Sequence, residues 1–176
     1  MTKYQLAKLI LMAGGLRSRK RIQKTVHLLR AAGCPLGVVF RLHYYGPYSS
    51  ELADLLDRMT DSGILRETEQ PTDVGIRYDY ELDERMRESL EAYELTAKGR
   101  VAKEEMATYE GVLQTLCDTG PRVLELASTI VAFREAGCSW DEALAEASEF
   151  KREPTDSSSM SEASDLARRV VGRNHG

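Results

Sequence analysis

GPYSSELADLLDRMTDSGILRETEQPTDVGIRYDYEL, residues 46–82, is the stretch whose reading decides the architecture. Gly46-Pro47 is a breaker pair, and Ser49 or Ser50 stands where a helix N-cap belongs. Leu52, Leu55, Leu56 and Met59 then repeat at i, i+3, i+4, i+7, the stripe of a helix that buries one face. Gly63 supplies the C-terminal stop. Two β-rich runs follow, near residues 64–69 and 76–82, joined by a polar loop containing Pro71 and Gly75.

Upstream, Leu6, Ala7, Ile10 and Leu11 share one helical face that Gly14-Gly15 ends. Ser18 is positioned to cap a second helix running to about Ala32. Its seam is Ile22, Val26 and Leu29, and 3.6 residues per turn sends Lys20, Lys24 and His27 the opposite way, toward solvent. Gly33-Cys34-Pro35 closes it, and residues 38–45, β-branched and aromatic, predict a strand or an extended segment. Three helices and then a hairpin is the order of a winged helix, with residues 70–76 as the wing. The fold class expected is α+β, mainly α. A winged-helix-like region, residues 1–95, packs on a helical region, residues 96–176, as one unit.

The second half predicts helices throughout. Thr96 caps one expected to reach about Leu116, with Ala102, Met106, Tyr109, Leu113 and Leu116 forming a seam of alternating four and three steps. Pro121 begins a helix that Gly137 ends. Ser139 with Glu142, and Ser159 with Glu162, have capping-box spacing. Residues 152–158 form a polar linker, after which Met160, Ala163, Ala167 and Val170 make a last apolar seam.

Charge is distributed unevenly. The first 50 residues hold nine Lys and Arg and no Asp or Glu, so the net charge of −4 conceals a basic head and an acidic body. Such asymmetry favours an anionic partner, either nucleic acid or an acidic protein face. Cys34, Cys117 and Cys138 form no CxxC pair and no disulfide framework, which suits a reducing cytoplasm. Lys3 and Lys8 interrupt the first apolar stretch, against a signal peptide or anchor. No apolar run approaches the 18 residues or more of a membrane span.

Three segments carry a family resemblance. They are residues 19–24 (RKRIQK), residues 43–52 (HYYGPYSSEL) and residues 93–99 (YELTAKG), supported by Leu124-Glu125-Leu126-Ala127-Ser128 and Trp140-Asp141-Glu142-Ala143. Together they resemble the YwgA-type proteins of bacteria and archaea, which are similar in turn to the Panacea antitoxin domain with its helix–YGP–helix core. The resemblance spans nearly the whole chain, and its most specific part is the YGPYSSEL string. It implies a non-catalytic protein that neutralises or presents a partner, and it carries over no catalytic residue.

The candidate contact surface is the basic second helix with its flanks, Arg17, Arg19, Lys20, Arg21, Lys24 and Arg30, together with Tyr44, Tyr45 and Tyr48. The cations could neutralise phosphates, each adding roughly −0.9 to the slope of log affinity against log salt. The plainer alternative is a solvated face that balances the acidic body. The tyrosines could stack on bases or anchor a protein. Their ordinary use would be to pin the Gly-Pro turn to the core with hydroxyls at the rim. The third helix presents Glu51, Asp54, Asp57 and Asp61 against Arg58, which disfavours a recognition helix in a DNA groove. Charge reversal at Lys20, Arg21 and Lys24 is expected to abolish partner capture and spare the fold.

Catalytic and metal motifs are weak. No HExxH or GxxxxGK occurs. Asp79, Glu81 and Asp83 alternate along a strand and could face a divalent metal, or simply form the polar face opposite Tyr78, Tyr80 and Leu82. Arg21 with His27, and Arg169 with His175, match a loose Arg–His ribonuclease pattern, but six residues turn a helix by about 240° and separate the side chains. Cys138 beside Trp140 lacks a neighbouring histidine to activate it. The expectation is a protein-binding adaptor without catalysis or cofactor, whose partner is a toxin or a regulated effector. The alternative is a nucleic-acid-binding regulator using the same helix, and more remotely a metal-dependent nuclease. A homodimer through the C-terminal helices is a further expectation.

Overall fold

The computed structural model describes residues 1–73 and 75–172. Thr2 opens α1 (Lys3–Met12) with a reciprocal cap: its hydroxyl accepts from the Gln5 amide, and the Gln5 side chain accepts from the Thr2 amide. Gly14 and Gly15, both at positive φ, turn the chain into the short β1 (Leu16–Arg17). Ser18 then caps α2 (Arg19–Ala31) by accepting from the Arg21 amide at 3.2 Å.

Helix α2 differs from its amphipathic expectation. Ile22, Val26 and Leu29 are buried as expected, but so are Gln23, Lys24, Thr25, His27 and Leu28. Lys24 and His27 therefore do not point to solvent. The reason is tertiary: α2 is covered on several sides, by α3 (Ser50–Asp61), α6 (Glu110–Asp118), α7 (Pro121–Glu135) and α9 (Ser158–Gly172). A helix enclosed in this way buries polar positions, and each must find a partner.

After α2 the chain runs extended, with Cys34, Leu36 and Val38 alternating inward. Only Arg41–His43 (β2) pairs, antiparallel to β3 (Gly46–Tyr48), so the ladder is shorter than the predicted 38–45. Ser49 caps α3, whose stripe of Leu52, Leu55, Leu56 and Met59 is buried as the spacing predicts. Strands β4 (Leu65–Thr72) and β5 (Gly75–Leu82) form the long hairpin, and β1 adds to β5, giving the order β1-β5-β4. Pro71 lies in β4 instead of a loop, tolerated because an edge strand need not donate on its outer side. Thr72 pairs with Gly75, so the ladder extends further toward the hairpin's end than the sequence suggested. The strands therefore take up most of the loop expected at 70–76, and Val74 lies outside the described residues.

Asp83 caps α4 (Glu84–Glu94), an element the periodicity did not suggest. Thr96 caps the next helix as expected, but the helix ends at Ala107: α5 is Ala97–Ala107 and α6 resumes at Glu110. Tyr109 sits in the break, and its hydroxyl donates to the Gly33 carbonyl at 2.7 Å. Met106, Leu113 and Leu116 of the predicted seam are wholly buried inside the chain.

Helices α7, α8 (Trp140–Lys151) and α9 complete the body, with Pro121 at the start of α7 and a reciprocal Ser139–Glu142 cap on α8. The second predicted box fails by position. Helix α9 begins at Ser158, so Ser159 lies inside it, and the Ser157 hydroxyl accepts from the Met160 amide. Met160, Ala163, Ala167 and Val170 are buried, and α9 packs mainly on α7. The buried side chains of both halves belong to one core cluster. Among the described residues no helix is long and apolar enough to cross a membrane.

Candidate functional site

Gly46 is the pivot of a cleft between the β2–β3 hairpin, α2 and α3. The β2–β3 pairing of His43 with Gly46 leaves Tyr44 and Tyr45 as a two-residue turn. Gly46 follows at φ 92°, the left-handed conformation that glycine adopts without strain. A methyl group there would sit 3.1 Å from Thr129 Oγ1, 3.2 Å from Lys24 Nζ and 3.4 Å from Lys151 Nζ. The hairpin is seated directly on the ends of two lysines. Gln23 secures its base, donating to the Ser49 carbonyl and accepting from the Ser49 amide at 2.9 Å each.

Between this hairpin, α2 and α3 lies a cleft of about 460 Å³. Arg19, Lys20, Gln23 and Lys24 form one wall, His43, Tyr45, Gly46 and Tyr48 the other, and Leu52, Ala53 and Leu56 an apolar floor. Lys20 and Lys24 also line a smaller neighbouring cleft of about 200 Å³ against Arg122, Leu124 and Glu125 of α7.

Most of the predicted cations are occupied by the chain itself. Arg19 donates to Asp57, Glu67 and the Tyr80 hydroxyl. Arg21 donates to the carbonyls of Leu116, Cys117 and Thr119, closing the C-terminal end of α6. Arg30 donates to both Glu135 oxygens and lies over the Phe40 ring. Lys20 and Lys151 take the two oxygens of Glu125, at 2.7 and 2.6 Å. Burial raises the Glu125 carboxyl, but the two lysines outweigh it and hold it below the usual carboxylate range. Arg17 is exposed on β1 with no ion pair among the described residues.

Lys24 is the exception among the buried groups. It is 3% exposed and donates to the Pro47 carbonyl at 2.7 Å. Burial pushes its ammonium down to about 8, with Lys151 and Lys20 adding repulsion and Glu125 partly opposing it.

The tyrosines do not pin the turn to the core. Tyr44 is 79% and Tyr45 63% exposed, their rings edge to face at 5.1 Å, and Tyr48 is exposed beside His43 at 5.9 Å. What holds the turn is Gly46, Pro47 and Ser49, all buried. Val39 and Leu42 extend the exposed apolar surface.

The remaining motifs resolve locally. Asp79 pairs with Arg77 and Glu81 with Arg66, while Tyr80 and Leu82 face the core. Among the described residues no group of three metal-ligating side chains assembles. Arg21 and His27 diverge as the helical step requires, and His175, the second Arg–His partner, lies outside the described residues. Sequence reading missed a Ser–His–Glu line: His27 Nδ1 lies 3.0 Å from Ser128 Oγ, and Nε2 lies 3.3 Å from Glu135. Ser128 and His27 are wholly buried, so the contact ties α2 to α7. It also missed Glu94, which receives Lys8, Lys103 and Tyr4 and joins α1, α4 and α5. The only trace of either in the sequence is a polar residue inside a helix.

No family model matches the chain. Over 129 residues it is 27% identical to the uncharacterized protein YwgA of Bacillus subtilis (strain 168), covering 73% of this chain and 72% of that protein. The chain is therefore YwgA-like over most of its length, in agreement with the resemblance its motifs carry. The comparison with the antitoxin domain rests on the motifs alone.

Proposed function

We propose that this protein is a non-catalytic regulatory adaptor of the cytoplasm that holds a protein partner on the β2–β3 hairpin. Antitoxin-like neutralisation is the form of that activity which the motif resemblance implies. One observation carries the reading: Leu42, Tyr44, Tyr45 and Tyr48 are exposed on the β2–β3 hairpin, and Val39 on the segment leading into it, while Gly46, Pro47 and Ser49 at the hairpin's base are buried. Rigid aromatic side chains lose little entropy on docking and dominate contact energy where they are covered. Large apolar side chains exposed on one short segment point to an interaction site.

The geometry favours this over a phosphate clamp along α2. Arg19, Arg21 and Arg30 are already held by carboxylates and carbonyls of the chain, so a duplex laid along the helix would have to break those contacts. Asp57 on α3 stands beside Arg19, adding a negative charge where a duplex would lie.

The test is affinity capture with the wild-type chain and with Leu42→Ser/Tyr44→Ser. A discrete partner should be retained at about 200 mM salt and lost with the double variant, while the thermal midpoint is unchanged. Equal capture by both proteins sinks the hairpin as the contact. Binding to generic duplex DNA that collapses between about 50 and 200 mM salt would transfer the function to the nucleic-acid alternative.

A further inference from the structure

Lys24 stands out because its charge has no carboxylate of its own. Glu125 offers two oxygens, and Lys20 and Lys151 occupy them. Lys24 Nζ lies beside this pair, 3% exposed, with a single backbone carbonyl as hydrogen-bond acceptor and two further N–H donors. Lys151 is nearly as enclosed, its side chain 7% exposed. Three ammonium groups against one carboxylate leave an excess of about two positive charges, consistent with Lys24 remaining largely protonated at neutral pH. The nearby Arg122 is matched by Glu153 at 2.7 Å, and Arg19 by Asp57 and Glu67. A charge so placed is expensive unless an anion completes it.

The cleft above this cluster is larger than an inorganic anion needs. Its volume of about 460 Å³ lies in the range of small-molecule sites. Opposite the lysines stand Tyr45 and the His43–Tyr48 ring pair, over a floor of Leu52 and Leu56. Aromatic faces over an apolar floor accept a planar ring. Lysines suit a phosphate, whose charge near −2 at neutral pH matches the excess. Gln23, the neutral amide of the wall, is tied to Ser49 through one donated and one accepted bond, so it is oriented toward the hairpin base.

We propose that this cleft binds a nucleoside 5′-phosphate, the phosphate on Lys20 and Lys24 and the base against Tyr45 and Tyr48. The same chemistry is presented by a free mononucleotide and by the 5′-phosphorylated end of a strand. The site shares Tyr45 and Tyr48 with the partner surface proposed above and differs from it at Leu42 and Tyr44, which do not line the cleft.

The test is calorimetric titration of the full chain with adenosine 5′-monophosphate, adenosine, inorganic phosphate, and a short oligoadenylate with either a 5′-phosphate or a 5′-hydroxyl. Saturable one-site binding of the monophosphate is expected, with adenosine and phosphate each weaker by about tenfold or more. Lys24→Met and Tyr45→Ala should each weaken it about tenfold, and Tyr45→Ala, at an exposed ring, keeps the test valid should Lys24→Met unfold the chain. Leu42→Ser/Tyr44→Ser should bind it as well as the wild type, so loss of partner capture and loss of nucleotide binding are separable. A phosphorylated oligomer that binds more tightly than the monophosphate identifies the strand end as the source, and one that binds more weakly identifies the free nucleotide. The proposal is overturned by no saturable binding up to about 10 mM, by phosphate alone binding as tightly as the monophosphate, or by Tyr45→Ala binding at wild-type strength.

Discussion

At the scale of single residues, two glycines and one lysine show how close approach sets identity. A methyl group on Gly99 would lie 1.9 Å from the Tyr93 carbonyl oxygen, at the tight corner where Thr96 donates to Tyr93 and accepts from Gly99. Gly99→Ala should therefore destabilise by about 2–3 kcal/mol, since backbone cannot yield as a side chain can. A thermal midpoint lowered by about 5 °C or more is the expected readout, and an unchanged midpoint refutes the close approach. Lys24 gives a pH signature. Its folded pKa of about 8 lies below its ordinary 10.5, so between these values the unfolded chain binds more protons and stability rises with pH. Lys24→Met should remove that rise, visible as a flatter dependence of urea midpoint on pH over about 8 to 10.5. Gly46 was legible as a turn residue from its Gly-Pro context. The crowding of Thr129, Lys24 and Lys151 beneath it was not, because those groups come from three different helices.

At the scale of elements, caps were read from local sequence and contacts between elements were not. Ser18, Ser49, Thr96 and Ser139 each accept from the amide three residues on, as their types and positions predict. Arg21 was read as part of a surface charge run, but it closes α6 from across the core. Arg21→Met should cost about 2 kcal/mol through the lost charge-assisted bonds to three carbonyls. Reversing Lys20, Arg21 and Lys24 together would then unfold the chain instead of sparing it, and circular dichroism of that variant decides the point. The β2–β3 hairpin behaves differently. Leu42 and Tyr44 are exposed, so Leu42→Ser/Tyr44→Ser should move stability by no more than about 0.5 kcal/mol, and a larger loss would mean the patch is part of the fold.

At the scale of the whole molecule, α2 is the axis. It meets elements from both halves, and residues 1–95 separated from 96–172 would expose the faces that α6, α7 and α9 cover. Each piece alone should lack a cooperative thermal transition, and a cooperative one from residues 1–95 would show an independent domain. Acid should loosen the same axis. Burial lowers the His27 pKa from 6.5; hydrogen bonding and attraction from Glu135 oppose the shift, and Arg30 and Lys24 reinforce it. Below about pH 6.5 the unfolded chain takes the proton more readily, so stability drops as the pH is lowered, and His27→Gln should blunt that drop in a denaturant titration. Glu135, held below its ordinary 4.5, adds its own loss only at lower pH.

Local pattern by itself determined the mainly helical α+β class, most caps and stops, the core stripe of α3 and the long hairpin, because caps, breakers and periodicity act over a few residues. Only the tertiary structure decided that α2 is enclosed on several sides, that its cations serve the chain, and that the tyrosines stand in water. Burial of a polar face depends on what packs against it, and for α2 those partners include Pro47, 23 residues on from Lys24, and Ser128, 101 residues on from His27.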